Sequence, residues 1–512
     1  MIIHPGLPII WGMLVGITVL LISIWAIWKP ISAYTTNNYY SLNKLPIIGQ
    51  LIRQITITPW LLFFIKVIVV ALFLLIIAAG LFGTPIADRN IATILTWNIW
   101  WSGLIIAVFF LGSVWCAICP WDTLATWLVH RRLWKRSTPY TSLNLQVPKQ
   151  FRNVLPALLL FIVLTWLELG IGVTISPYAT ALLSLLMIIL ATISLAIFER
   201  KAFCRYFCPV GRTIGFYAQL ASIELRPIDS NICIKCNSLE CYHGSATVDS
   251  CPTNLVMGRL TQNTYCTNCG NCSRSCPAQN VAWRLRPPST EAIQTARPYW
   301  DEAWFMLGLM ALTAFHGLTM MAFWETWMGE LTGFIGGSGL WSFSIGLIIS
   351  LLLPLPPYIS ALGLIKRFTN SKLSIKQLFS QFAFIAIPLA FAYHLAHNLN
   401  HLIRESVGAS AVFANPFGAG TLPLSLIEKQ AKHTEMLLPV ELLFFLQASL
   451  LIFGFLIAVY VIRQRGRALL TSKPWQLSPM ILFAILITGY HLWLLMEPMV
   501  MQVSGVCLPV GI

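Results

Sequence analysis

The chain has 512 residues, 57% of them hydrophobic and only 10% charged, with a mean hydropathy of +0.74. That composition excludes an ordinary soluble globular protein and indicates a polytopic membrane protein. The net charge of +15 would suit nucleic acid or an acidic partner, but the placement of the basic residues gives it another meaning.

Ten apolar runs are long enough to cross a hydrocarbon core of roughly 30 Å. They cover 7–28, 59–84, 96–117, 154–174, 176–198, 302–322, 338–363, 377–399, 439–462 and 475–497. The opening "MIIHPGLPIIWGMLV" has no basic leading segment and no small-residue cleavage site, so the first run reads as an uncleaved helix. With the N-terminus outside, the inner loops 29–58, 120–153, 199–301, 364–376 and 463–473 hold 28 Lys and Arg. The outer loops hold Arg89, Arg404, Lys429 and Lys432, while Lys66 lies within the second run, where it is expected to snorkel inward. This is the positive-inside bias, so the charge reports orientation and no nucleic-acid partner is implied. The expected fold is an all-α polytopic membrane protein of about ten spans, both termini outside. Residues 1–198 form a five-helix domain, 199–301 a polar cytoplasmic domain, and 302–512 a second five-helix domain. No repeat of whole helices relates the two halves.

Twelve of the thirteen cysteines lie between 116 and 276, all on the inner side of this topology. The cytoplasm is reducing, so closely spaced thiols there read as metal ligands before disulfides. At the inner end of the third run, "VWCAICPWDTLATW" carries Cys116-x2-Cys119-Pro120. After the fifth, "AFCRYFCPVGRTIGFYAQL" carries Cys204-x3-Cys208-Pro209. Both read aromatic, Cys, spacer, Cys-Pro, then Thr and an aromatic, and both fall at one depth, where they could meet. Three readings stay open for these four thiols: a further cluster or metal, free redox-active or structural thiols, or a disulfide.

Further on comes "CIKCNSLECYHGSATVDSCP", with Cys233, Cys236, Cys241 and Cys251, then "CTNCGNCSRSCPAQ", with Cys266, Cys269, Cys272 and Cys276. The second run matches the bacterial ferredoxin spacing C-x2-C-x2-C-x3-C-P, in which three thiolates hold one cubane and the fourth crosses to the other. The crossed pattern assigns Cys233, Cys236, Cys241 and Cys276 to one [4Fe–4S] cluster. Cys266, Cys269, Cys272 and Cys251 take the second. Paired zinc sites are the bland alternative, but zinc has no use for that run. Cys507 stands alone near the C-terminus.

Paired Cys-Pro motifs at inner helix ends, followed by a two-cluster ferredoxin domain, resemble the membrane polyferredoxins of the NapH and NosR type over roughly residues 60–290. That resemblance implies respiratory electron transfer, typically between quinol and a reductase on the outer side. The first motif departs from the family's C-x3-C-P by one spacer residue. The chain has neither the large flavin-binding region typical of NosR nor a C-x-x-C-H haem motif.

The C-terminal runs place His316, His394 and His491 about five or six residues before the outer ends of three helices that run in one direction. His397 and His401 follow His394 at spacings of three and seven. Imidazoles at membrane depth suit haem b, or copper with Met320, Met321 and Met496 nearby; the alternative is a hydrogen bond from each to a neighbouring helix. Glu168 and Glu325 are candidates to carry the protons of a quinol. The twenty Trp read as interface anchors, the prolines of "LLLPLPPYIS" as a packing kink, and 400–438 as an outer loop on which a partner could dock.

The expected function is an electron-transfer subunit of a prokaryotic cytoplasmic membrane, a quinol-linked oxidoreductase component working with other redox subunits. It would pass electrons between quinol, or an extracytoplasmic partner, and the cytoplasmic clusters. The alternative is a redox-active accessory factor that reduces or delivers a metal, as in CcoG-like proteins. A transporter with an iron–sulfur domain ranks last, because no inverted repeat is visible.

Overall fold

The computed structural model describes residues 2–34, 39–42, 45–47, 49–51, 54, 58–131, 142–425, 427–428, 431, 435–470 and 473–501. Cys507, Lys429 and Lys432 lie outside these residues.

The N-terminal part is built from α1 (Ile9–Trp28), α2 (Pro59–Phe82), α3 (Trp101–Leu111), α4 (Pro120–His130), α5 (Leu155–Gly170), α6 (Pro177–Ile197) and α7 (Pro209–Tyr217). Most of these helices are apolar on every face, as expected where lipid covers what the bundle does not. Ser176 caps α6 by accepting from the Ala179 N–H at 3.2 Å, with Pro177 at the first helical position, where a missing N–H costs nothing.

The C-terminal part comprises α8 (Trp300–Leu318), α9 (Ala322–Ile335), α10 (Gly339–Leu352), α11 (Leu355–Phe368), α12 (Ile375–Phe382), α13 (Ala386–Glu405), α14 (Val440–Leu469) and α15 (Ser478–Met496). Helix α13 is the hub, buried on nearly all sides between α14, α8 and α3. At Gly454 of α14 an added Cβ would lie 2.4 Å from the Ala392 Cβ, so the two helices approach as closely as small residues allow.

All ten apolar runs are helical, but they are not ten uniform spans. Eight helical segments, Ile9–Trp28, Trp60–Phe82, Ile91–His130, Pro177–Ile197, Gly339–Phe368, Ile375–Glu405, Val440–Leu469 and Pro474–Met496, are long and apolar enough to cross a membrane. The protein is therefore a multi-pass membrane protein. Helix α5 is apolar but short, at 16 residues. Helix α8 is wrapped by its neighbours and carries Asp301 and Glu302 in its first turn, which lowers its hydropathy. It also stops at Leu318, before the expected limit, and α9 starts after a turn. The proline stretch interrupts helix between Leu352 and Leu355. Strands β1 (Ile2–His4) and β5 (Met499–Met501) pair antiparallel, placing residues 2–4 beside 499–501.

The expected 199–301 domain is smaller and more entangled than its polarity implied. Helix α7, with Ile214, Phe216 and Tyr217, is buried in the same core as the membrane helices. The compact unit begins at β3 (Ile223–Pro227), which pairs antiparallel with β4 (Val281–Leu285), Leu225 opposite Trp283. A third strand, β2 (Tyr40–Ser41), comes from the first inner loop and pairs with β4.

Candidate functional site

The eight cysteines of the two ferredoxin runs occupy short turns between β3 and β4, and the fold sorts them into two sets. Cys241 lies within electrostatic reach of Cys233, Cys236 and Cys276. Asn280 joins the ends of that set, its N–H bonding the Cys276 sulfur at 3.3 Å and its side-chain amide the Cys233 sulfur at 3.4 Å. Cys266 and Cys272 have Cys269 and Cys251 as neighbours. These four and Cys241 line one small pocket together with Leu225, Met257 and Leu260. A set of closely spaced thiols is the donor chemistry of an iron–sulfur cluster; Cys266 and Cys272 are deeply buried, whereas Cys233 and Cys236 lie close to the surface. Among the described residues no group of three or more His, Cys, Asp or Glu has the geometry to hold a single metal ion.

Burial pushes the Cys266 thiol up to about 12, and raises Cys241, Cys251 and Cys272, with neighbouring sulfurs adding to the effect. Cys236 goes the other way, lowered by hydrogen bonds from the Leu239 N–H and Ser238. Iron binding must displace these protons, so cluster loading and folding of the unit are coupled. Glu224 and Glu291 are buried among Arg226, Arg284 and Arg286, with Arg226–Glu291 at 2.6 Å, Arg284–Glu224 at 2.6 Å and Arg286–Glu224 at 2.9 Å. Glu291 also accepts from the Asn263 N–H at 2.6 Å, which anchors the approach to Cys266.

The two Cys-Pro motifs do meet. Cys116 is within electrostatic reach of Cys208, and Cys119 of Cys208 and Cys116; Cys204 is in reach of Cys208 and Cys119. The route differs from a simple helix end. After α3 the chain breaks at Gly112 (φ +61°) and doubles back, so Trp115 and Trp121 pack on Trp100 at 5.5 and 6.2 Å. A Cβ at Gly112 would lie 3.0 Å from the Asn268 side chain, and Asn268 in turn reaches the Leu111 carbonyl at 3.5 Å. The loop of the second ferredoxin set therefore rests on this break. On the other side, Arg200 donates to the Cys251 carbonyl at 2.9 Å and the Lys201 N–H to Pro252 at 3.1 Å. Asp122, three residues after Cys119, pairs with Lys201 and lies 3.9 Å from the Cys204 sulfur. Lys66 does not simply snorkel: Lys201, Asp122 and Cys269 are all in its electrostatic reach.

The histidines divide into three settings. His397 and His401 face each other through their Nε2 atoms at 3.2 Å, His401 Nδ1 lies 3.0 Å from Glu405, and the His316 ring is 5.3 Å from His397. Glu168 stands 3.9 Å from His316 Nδ1. His394 turns instead to the Tyr217 hydroxyl at 3.0 Å and to Trp101. His491 stacks on Tyr393 at 4.5 Å. The trio His316, His394 and His491, expected from matched depth, is thus not one ligand set, because helical rotation and not depth alone decides which faces meet. Glu325 is exposed on α9, a separate helix. Reading the sequence missed Asp122, Lys201, Tyr217, Tyr393 and Glu405. Only Asp122 carried a local signal, its place two residues after a Cys-Pro.

Fold and site together define a multi-pass membrane protein with an iron–sulfur binding domain. A family described as a 4Fe-4S binding domain matches residues 93–137 and 179–223, which lie before the eight cysteines at 233–276. Each stretch contains one Cys-Pro motif, so the shared pattern is a duplicated segment and not merely four similar residues. Over 242 residues the chain is 29% identical to an uncharacterized protein of Methanocaldococcus jannaschii, covering 46% of this chain and 85% of that one. YccM of Escherichia coli, whose name assigns it provisionally to electron transport, is 29% identical over 118 residues, 22% of this chain and 30% of YccM. A second uncharacterized M. jannaschii protein is 29% identical over 106 residues, 21% of this chain and 40% of its own length. No solved structure matches the chain.

Proposed function

We propose that this protein is an electron-transfer subunit of a prokaryotic respiratory chain, of the NapH and NosR type. It has ten spans with both termini outside the cytoplasmic membrane and the ferredoxin unit on the cytoplasmic side. The observation that carries the reading is the gathering of the eight cysteines of the two runs close to one another, with the Asn268 loop beside them resting on the membrane helices at Leu111. Cubanes held this way supply one-electron transfer at low reorganisation cost. The name of YccM points in the same direction.

The reaction is quinol oxidation or its reverse. A quinol gives up two electrons and two protons, and each cubane takes one electron, so two clusters match one quinol. An extracytoplasmic redox subunit is the other terminal partner. The row Glu405, His401, His397, His316 and Glu168 offers acceptors for the two protons. The same imidazoles are the candidate ligands for a haem b relay. The facing nitrogens of His397 and His401 also favour a second reading, an accessory protein that binds copper there and reduces or delivers it.

One experiment separates these. Membranes containing the full chain are given a ubiquinol or menaquinol analogue anaerobically, and the clusters are followed by EPR with a metal and haem inventory of the purified protein. Quinol-dependent cluster reduction supports the subunit. Stoichiometric copper with no response to quinol overturns it in favour of the accessory role.

A further inference from the structure

We propose that the surface over Cys233 and Cys236 is a docking site for a small, soluble, acidic one-electron carrier protein of the cytoplasm. This rests on the electron-transfer reading above and adds to it a partner on the water side of the ferredoxin unit.

The first argument is depth. Cys266 and Cys272 are deeply buried, and the Asn268 loop beside them rests on the Leu111 carbonyl of α3. Cys233 and Cys236 lie close to the surface. One set of thiols thus faces the membrane helices and the other faces water. Electron transfer weakens steeply with distance, so a carrier that diffuses in water exchanges electrons at the outer set.

The second argument is the apolar patch beside that set. Ile228, Ile232 and Ile234 are 64%, 42% and 78% exposed. Single exposed hydrophobes are ordinary, but three within seven residues, next to a pair of cysteines, mark an interaction site. They lie outside the membrane-spanning helices, so lipid does not account for them. Their backbone is tied to the cysteines. Asn280 accepts from the Ile228 N–H through its carbonyl and from the Asp229 N–H through its side chain, both at 2.9 Å. The Asn280 amide donates in turn to the Cys233 sulfur at 3.4 Å. On the other flank, the Met257–Arg259 turn presses on the same cysteine: a Cβ at Gly258 would lie 2.6 Å from the Cys233 Cβ. The isoleucines are therefore held in place before a partner arrives, which lowers the entropic cost of docking.

The third argument is charge, and it selects the partner. Lys235 and Arg259 are exposed around the isoleucines. The carboxylate of Asp229 is taken up by its own turn, where Oδ1 accepts from the Asn231 N–H at 2.8 Å. Beyond the patch, the inner loops of the proposed topology hold 28 Lys and Arg against eight Asp and Glu. A field of that sign draws in an acidic carrier and turns away a basic one. Redox encounters bury less than about 1,200 Å², so a small apolar centre with a cationic rim is enough. One electron passes at each encounter, with no bond made or broken and no proton moved.

The test uses the full chain, reconstituted anaerobically in nanodiscs of zwitterionic lipid. The probe is a flavodoxin, an acidic one-electron carrier, and cytochrome c is the basic control. Binding is followed by microscale thermophoresis, and cluster reduction by stopped flow with flavodoxin hydroquinone. Flavodoxin should bind and cytochrome c should not, and the flavodoxin Kd should rise about tenfold between about 0.05 and about 0.5 M salt. Ile228→Glu/Arg259→Glu alters two exposed positions outside the Cys233–Cys236 run. It should weaken flavodoxin binding and slow reduction by about tenfold, while dithionite still reduces the clusters to the wild-type extent. Equal binding of both probes, binding of neither, or a Kd indifferent to salt or to the double substitution overturns the proposal. So does a dimer of the chain that the double substitution dissociates, since a second copy would then cover the patch. Failure of the electron-transfer reading looks different: dithionite would then find no clusters to reduce in wild type. Should the double variant lose its iron, the wild-type salt dependence and the cytochrome control decide alone.

Discussion

At the residue scale the chemistry depends on cysteines that close a set from a distance. In the proposed crossed assignment Cys251 and Cys276 each serve the other run's cluster, so replacing either would leave three thiolates for one cubane and four for the other. Cys276→Ala should cost one cluster, about four irons, and spare the second, as read by iron content and EPR. Gly317 controls the histidine region by being small: a Cβ there would lie 1.7 Å from the Tyr393 hydroxyl. Tyr393 in turn stacks on His491 and His397. Gly317→Ala should therefore destabilise the protein by about 1–3 kcal/mol, seen as a lower Tm in detergent, and should shift the environment of both imidazoles. The two cysteine runs of ferredoxin-like spacing were legible because that spacing is local. The contact between Tyr217 and His394 was not, since 177 positions separate the two.

At the scale of elements, β3 and β4 are tied by charge as well as by their ladder. Burial alone would raise the Glu224 carboxyl, but Arg226, Arg286 and Arg284 outweigh it and hold the group below its ordinary value of 4.5. A carboxylate depressed in the folded state stabilises fully above its unfolded value and loses that contribution as pH falls through the lower, folded value. The stability difference between wild type and Glu224→Gln should then be full at neutral pH and shrink below about pH 4.5, measured by unfolding at a series of pH values. Arg286→Met should be harsher, because it strips a partner from both Glu224 and Glu291. Breaking a buried pair from one side costs about 3–5 kcal/mol. The helices themselves were legible from their apolar runs, but their breaks were not. Gly112 ends α3 because a positive φ and the close approach of Asn268 are both required there, and neither leaves a trace in hydropathy.

At the scale of the molecule, the ferredoxin unit is clamped by a helix from the other half of the chain. Arg465, near the end of α14, donates to the Ala292 carbonyl at 2.6 Å and to the Glu291 and Ala296 carbonyls at 3.1 Å each. Arg465→Leu leaves these buried acceptors without their donor, and each such loss costs about 1–3 kcal/mol. The expected outcome is faster hydrogen exchange across 291–296 and release of the unit at a lower temperature than the membrane helices. A Tm unchanged by the substitution would show that the two halves hold together without this clamp. The domain limits at 199 and 301 missed this interlock. Polarity marks where the chain leaves the apolar phase, not which helix it returns to.

The amino-acid sequence by itself determined that this is a multi-pass membrane protein and which eight thiols belong to a ferredoxin pattern. Both are written in short-range signals: apolar runs as long as a bilayer is thick, and ligand spacings set by one or two turns of backbone. Tertiary structure decided the rest. It divided the histidines among three settings, drew β2 out of the first inner loop, and brought Cys116 and Cys119 to Cys204 and Cys208 beside the second ferredoxin set. Such meetings depend on helix rotation and on a reversal at one glycine. They arise from packing between distant segments, which no local pattern encodes.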